Sequence, residues 1–441
     1  MRDLILLAVF FTLLPLAFKR PWIGVLIFAW VSYMNPHRFT WGIAYAFPFA
    51  KVAALVALVC LFFTSDKMKI PWTRETKLLL LLGLYFTMTS YFALNHDAAW
   101  GEWQSVAKVL LMTFITMMLI NNQSKFRYLL LTVAMSIGFL GVKGGLFGLA
   151  SGGTHRVYGP QGSFFYDNND MALALNMTIP FLFCLYREEK NTFLRYALLG
   201  MFVFSIIAVI FTYSRGGALA LAGVLMLILI RTRHKILAGC IAVIALFFAA
   251  PMIPDQWFSR IDTIKTYEED ASAMGRINAW HTAINIAKDR PLTGGGFQAF
   301  SPEVFWRYSP NPDNYHDVHS IYFEVIGEHG FVAFGIFVLL MISTLLKTNK
   351  IRRHAMYYNI EWGRNYAEML QIALLAYMIG GTFLGRAYFD LFYAIISFVI
   401  LLGVFVDQEV KATLEEHEQQ AKRETLTYMK PSLVTAVSRG R

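Results

Sequence analysis

Long apolar runs, repeated from end to end, constrain this chain more than any other feature. Thirteen apolar segments lie near 3–17, 21–34, 47–63, 78–94, 105–120, 127–150, 170–186, 194–213, 216–230, 236–251, 319–346, 366–384 and 388–406. Most reach the roughly 16 to 25 residues that a helix needs to cross a bilayer. The first two are short and are separated only by Lys19, Arg20 and Pro21, so about twelve spans are expected. A soluble chain of 441 residues would divide into about three domains of roughly 150 residues, but only 15% of this one is charged, against about 25% in soluble domains. The fold class expected is an all-α polytopic integral membrane protein. Disorder, collagen, coiled coil and a secreted disulfide scaffold are excluded. Cys60, Cys184 and Cys240 each sit in an apolar run, spaced for neither a disulfide framework nor zinc, and read as small buried hydrophobes.

The net charge of +10 matters less than where it falls. Alternate short loops are basic: Lys67, Lys69, Arg74 and Lys77; Lys125 and Arg127; Arg187, Lys190 and Arg195; Arg231, Arg233 and Lys235; Lys347, Lys350, Arg352, Arg353 and Arg364. The short loops between them hold only Arg38, Arg156, Arg215 and Arg386. The positive-inside rule makes the basic set cytoplasmic. With twelve spans both termini are expected in the cytoplasm. The segment Met1–Phe18 has no small-x-small cleavage site and reads as a retained anchor. The organisation expected is helices over 1–251, a large outer loop over 252–318, helices over 319–406 and a polar cytoplasmic tail over 407–441. In the loop, Ile277, Trp280, Ile284 and Ala287 recur at helical spacing with Arg276, Asn278, Asn285 and Lys288 on other faces. That pattern predicts an amphipathic helix over 274–288 lying at the interface, ended by Pro291 and Gly294-Gly295-Gly296.

Three clusters on the outer face carry the possible chemistry. The first is Thr212-Tyr213-Ser214-Arg215-Gly216-Gly217, between two spans with almost no loop. A lone arginine there can simply snorkel to a headgroup, and the two glycines let backbone or ligand approach closely. Yet Arg156, Arg276, Arg290 and Arg386 fall on the same face. Several arginines facing one side ask for an anionic ligand, and a guanidinium matches phosphate with a bidentate fork. The second cluster is His316-Asp317-Val318-His319, with Glu324 a turn further on. A histidine titrates near neutrality and can act as general base; a structural interfacial histidine is the plainer alternative. The zinc reading of His316 and His319 is weak, because the familiar motif puts two histidines at i,i+4 with a Glu between. The third cluster, Asp167-Asn168-Asn169-Asp170, offers an N-cap at Asp170 and sugar or acceptor contacts at Asn168 or Asn169. No Walker loop, nucleotide fingerprint or G-x-S-x-G elbow is present. No cofactor, no metal and no nucleic-acid partner are expected, and the energy for a reaction must arrive inside the substrate.

Ser214-Arg215-Gly216-Gly217 resembles a signature of the O-antigen ligase and polymerase superfamily. So do Gly294-Gly295-Gly296-Phe297, His319-Ser320-x-Tyr322-Phe323-Glu324 and Gly327-Glu328-His329-Gly330, in that order around one large outer loop. Most members have His-Asn where this chain has His319-Ser320. Met1-Arg2-Asp3-Leu4 and Tyr33-Met34-Asn35-Pro36-His37-Arg38 resemble a narrower branch, the O-glycosylation ligases associated with exosortase systems. The resemblance implies a fold similar to GT-C glycosyltransferases, in the bacterial inner membrane with the site facing the periplasm. It also implies transfer of a glycan from undecaprenyl diphosphate to an acceptor hydroxyl, of the lipid A core, of a protein, or of a second lipid-linked glycan, which would make it a polymerase. By position, Arg215 and Arg276 would grip the diphosphate and His319 would take the acceptor proton. Tyr213, Arg156, Arg290, Arg386, Asn168, Asn169, His316 and Glu324 are the further substrate-binding candidates. A transporter would instead need ionisable groups near the bilayer midplane, for which Lys51, Lys108 and Lys143 are the nearest candidates. A scaffold would not require the outer arginines.

Overall fold

The computed structural model describes residues 1–232 and 271–429, and these fold as a helical bundle with no strand among them. In chain order the helices are α1 (Arg2–Lys19), α2 (Pro21–Met34), α3 (Phe49–Phe63), α4 (Arg74–Tyr91), α5 (His96–Leu119), α6 (Gln123–Ala150) and α7 (Asn168–Glu188). They continue as α8 (Thr192–Phe211), α9 (Arg215–Arg231), α10 (Ala271–Asp289), α11 (Ile321–Tyr357), α12 (Glu361–Gly380) and α13 (Asp390–Met429). Every expected apolar segment within these residues is helical. The segment 236–251, Cys240 and the loop residues 252–270 lie outside the described residues, as does the tail from 430. Four helices, α6, α8, α11 and α13, are long and apolar enough to cross a membrane, while α2 and α3 are apolar but shorter.

Polar residues ahead of the apolar runs start the helices. Asn95, Asn122, Asn191 and Ser214 each accept a hydrogen bond from a backbone N–H in the first turn that follows, which satisfies a donor the helix itself leaves open. At α7 the cap is Asp167, whose Oδ1 accepts from the Asn169 N–H at 2.8 Å. This corrects the expectation that Asp170 caps. Packing is closest between α6 and α8. A Cβ on Gly141 would lie 2.2 Å from Ser205 Oγ, and one on Gly145 would lie 2.6 Å from the Phe204 carbonyl oxygen. Small residues at four-residue spacing let two helices touch backbone to backbone. Helix α7 is enclosed almost throughout, from Asn168 to Leu185, and with α6, α12 and α13 it forms the centre of one continuous apolar core.

Four ion pairs mark one end of the bundle: Lys125 with Asp66 at 2.8 Å, Arg127 with Glu189 at 2.6 Å, Lys347 with Glu75 at 2.8 Å and Arg352 with Glu368 at 3.8 Å. These belong to the basic loops singled out by their charge. Residues 35–48, 151–167, 212–214, 309–320 and 381–389 cap the opposite end, called the site end below. Asp3 Oδ1 accepts from the Gly42 N–H at 2.9 Å and from the Ala44 N–H at 3.1 Å. The start of α1 therefore lies at the site end, and α1 and α2 run antiparallel as separate helices. At the other terminus, Asp407 lies 3.3 Å from His354, near the end of α11, and so at the basic end. With both termini expected on one side, the structure differs: Asp3 and Asp407 lie at opposite ends of the bundle. Lys143 is likewise no midplane charge, since it stands 4.0 Å over the Phe39 ring at the site end.

The amphipathic helix exists as α10, but its buried face is not the expected one. Asn278, Ala279, Thr282, Ala283, Ile286 and Ala287 are buried, whereas Ile277, Trp280 and Ile284 are half-buried. Small residues face α11, where a Cβ on Gly327 would stand 3.1 Å from Ala283 Cβ. The close approach selects alanines and a hydrogen-bonded threonine over the larger apolar side chains. Asn278, expected on a polar face, is buried and donates to the carbonyls of Asn311 at 2.8 Å and Asn314 at 2.9 Å.

Candidate functional site

The turn between α8 and α9 is held from below. Asn168 Nδ2 donates to the Thr212 carbonyl at 2.8 Å, and Asn176 Nδ2 donates to the Gly217 carbonyl at 2.8 Å. A Cβ on Gly217 would meet Ala172 Cβ at 2.6 Å, and one on Gly216 would meet Phe383 Cβ at 3.2 Å. Both glycines serve helix packing, and they fix Arg215 as the exposed first residue of α9. Tyr213 is buried at φ +56, with its hydroxyl donating to the Gly153 carbonyl. Arg156 is exposed, and the Val157 N–H beside it donates to the Phe211 carbonyl at 2.9 Å. That bond brings Arg156 to the same turn.

His319 lies just ahead of α11 in a left-handed conformation, φ +42, which a non-glycine residue adopts rarely and at a cost. Three contacts hold the strand of chain that carries it. Trp280 Nε1 donates to the Val318 carbonyl at 2.8 Å, and the Trp280 ring stacks on Phe323 with centroids 4.9 Å apart. A Cβ on Gly385 would stand 3.5 Å from the His319 nitrogen. The imidazole is half-buried, with Nδ1 3.8 Å from Asp317 Oδ2. Burial lowers the His319 pKa most; Asp317 and Asp167 pull it back up, and the charges of Arg276 and His316 push it down, for a net shift below the usual value. His316 packs its ring against Gly275, where a Cβ would stand 2.5 Å from Nδ1, so α10 leaves room for His316 one residue before Arg276. The structure therefore brings His319, Asp317, His316 and Arg276 into one cluster. Arg215 stands on the neighbouring wall, linked through Gly216, Phe383 and Gly385.

Other sequence candidates are engaged in holding the site together. Arg386 forms a bidentate pair with Asp170, Nε to Oδ1 at 2.7 Å, and its guanidinium lies 5.3 Å over the Phe164 ring. Arg290 Nε donates to the Gly294 carbonyl at 2.6 Å, and its terminal nitrogen donates to the Phe92 carbonyl. Glu324 Oε2 accepts from the Ala387 N–H at 2.8 Å, and Asn169 Nδ2 turns back to Asp167 Oδ1 at 2.9 Å. The chemistry expected of these four at a substrate is carried here by protein groups: a guanidinium already neutralised by a buried carboxylate is a poor anchor for phosphate.

Sequence reasoning missed the network behind the cluster. Glu328 Oε1 accepts from the Gln298 N–H at 2.7 Å, and Oε2 accepts from the Tyr388 hydroxyl at 2.5 Å. His329 Nδ1 lies 2.7 Å from Thr89 Oγ1. Gly295 and Gly296 donate to the carbonyls of Gly327 at 2.9 Å and Glu328 at 2.7 Å. The two glycine-bearing motifs are one docking device between loop 290–300 and α11. Tyr388 and Thr89 carry no local signal, since their partners are 60 and 240 residues away. Among the described residues, no group of three or more His, Cys, Asp or Glu side chains is arranged to hold a metal ion.

Residues 200–338 match the family described as O-Antigen ligase, a stretch that contains Arg215, Arg276 and His319. Residues 1–190 match a Family of unknown function (DUF5935). No curated protein matches the chain.

Proposed function

The chain belongs, through residues 200–338, to the O-antigen ligase/polymerase superfamily, and from that premise we propose that it moves a glycan from undecaprenyl diphosphate to an acceptor hydroxyl, first of all that of the lipid A core oligosaccharide. It is a ligase- or polymerase-type glycosyltransferase of the membrane. The observation that carries the finer reading is His319, half-buried, fixed at φ +42 and set beside Asp317 and Arg276.

The lowered pKa leaves the His319 imidazole neutral at neutral pH, as a base must be. At 3.8 Å the Nδ1–Asp317 distance is too long for a hydrogen bond. Closing it by about 1 Å would make Nδ1–H a donor to the carboxylate and leave Nε2 as the base, a tightening common when substrate binds. The acceptor oxygen then attacks the anomeric carbon as its proton passes to His319. The bond from that carbon to the diphosphate breaks, and the electron pair leaves on the diphosphate. Arg215 and Arg276 offset the charge that develops there, so that no nucleotide is needed. A single displacement inverts the anomeric centre. By the positive-inside rule the basic end is cytoplasmic, and the site end faces the periplasm from the bacterial inner membrane.

The test is transfer in vitro by the purified full chain, with undecaprenyl-diphosphate-linked glycan and lipid A core acceptor in chelator. His319→Ala and Arg215→Ala are expected to lose about 10²–10⁴-fold, the usual worth of general-base assistance and of a donor to a developing anion. Full activity in both variants overturns the assigned roles. Activity only with a protein or a second glycan acceptor transfers the reading to an oligosaccharyltransferase or a polymerase of the same superfamily. Inactivity with all of them revives transport of lipid-linked glycan.

A further inference from the structure

A cleft of about 600 Å³ opens at the site end between α2, α3 and α5, closed on its inner side by Phe164 and Tyr388. Its walls are mainly apolar, and its rim residue Leu55 is 60% exposed. At the level where lipid surrounds α3, such an opening faces acyl chains. Four charged side chains nevertheless line it: Lys51 in the first turn of α3, Glu102 and Lys108 on α5, and Asp390 at the start of α13. None of the four forms a salt bridge among the described residues. Ionisable groups in an apolar, membrane-facing cleft need partners. Here two lysines and two carboxyl side chains line the cleft, so an occupant that carries only a phosphate would leave the carboxyl groups without a partner.

We propose that this cleft is a binding site for a zwitterionic glycerophospholipid of the phosphatidylethanolamine class. Lys51 and Lys108 take the phosphate, Glu102 and Asp390 take the ammonium, and the apolar wall takes an acyl chain. An ammonium facing carboxylates and a phosphate facing lysines form charge-assisted contacts, which are about twice as strong as neutral ones. The lipid would also border the transfer site. Tyr388 donates its hydroxyl to Glu328, and Phe164 stacks on Phe389 at 5.4 Å while carrying the Arg386 guanidinium on its face. The inference does not rest on the transfer chemistry proposed above, and its test reads no transfer.

The experiment is native mass spectrometry of the purified full chain in detergent, titrated separately with dioleoyl-phosphatidylethanolamine, dioleoyl-phosphatidylglycerol and undecaprenyl phosphate. The expected result is a phosphatidylethanolamine adduct held at least about tenfold more tightly than phosphatidylglycerol. The pair Lys51→Ala with Lys108→Ala should weaken it about tenfold or more, the size of one lost charge-assisted contact. Both lysines are exposed, so an unchanged melting temperature is expected of that pair. Ala54→Trp, which fills the cleft without touching a charge, should weaken all lipids there alike. Equal binding of phosphatidylglycerol, displacement of phosphatidylethanolamine by stoichiometric undecaprenyl phosphate, or retention of the adduct in both variants would each overturn the proposal.

Discussion

The base proposed at His319 must be neutral and aimed, and the two conditions have separate causes. Burial and the nearby Arg276 guanidinium keep it neutral, opposed by Asp317 and Asp167; the backbone at φ +42 aims it. A base with a lowered pKa loses activity only as pH falls through that value. The acid limb of kcat/KM is therefore expected below the ordinary histidine value of about 6.5. Asp317→Asn removes a raising charge and should move the limb further down, whereas Arg276→Gln removes a lowering charge and should move it up. A pH-rate profile of the three proteins checks the signs, and a limb that stays in place in both variants would exclude His319 as the titrating base. At this scale the sequence was partly legible. The sequence singled out His319 and Arg276 by residue type, and the structure sets these two beside Asp317 and His316. Asp170 looked like a cap because its partner, Arg386, is 216 residues away, and no local pattern announces a pair across that distance.

Helix α11 is two helices joined at Gly330, where φ is +74 and ψ −176. Such backbone is nearly closed to residues with a Cβ. A Cβ at Gly330 would also stand 2.4 Å from the Pro291 carbonyl oxygen, which accepts from the Phe331 N–H at 2.9 Å. Gly330→Ala should destabilise the protein by about 1–3 kcal/mol from strain alone and lower its thermal midpoint. Gly335→Ala, on the same helix with nothing within 4 Å, should leave the midpoint unchanged or raise it. Equal midpoints for the two would show that the kink is not built on Gly330. Helix starts were legible where a polar cap precedes the apolar run, as at Asn95, Asn122, Asn191 and Ser214. The kink was not, because glycine within a span reads equally well as helix packing. The inward face of α10 was misread for a related reason: periodicity identifies a stripe, but the neighbour decides whether large or small residues turn inward, and here the neighbour is Gly327.

The arrangement of the whole bundle follows charge more than length. The loops richest in lysine and arginine share one end, and the loops carrying Arg156, Arg215 and His319 share the other. The first two helices show what counting alone misses. Lys19, Arg20 and Pro21 make a turn tight enough to be taken for a break within one span, while Asp3 returns to the 42–44 turn. In a chain freed of its own cysteines, Trp41→Cys should react with a membrane-impermeant maleimide in cells with an opened outer membrane, and Glu416→Cys only after the inner membrane is breached. Labelling of both from one side would contradict the bundle's two-ended arrangement. The enclosure of α7 bears on how the gene can be divided. The two family matches, 1–190 and 200–338, are divided at the first half of α8, yet α7 is walled on one side by α6 and on others by α8, α9 and α12. Expressing either stretch alone would expose to solvent or lipid the surface that the other covers, so neither stretch is expected to fold as an independent unit.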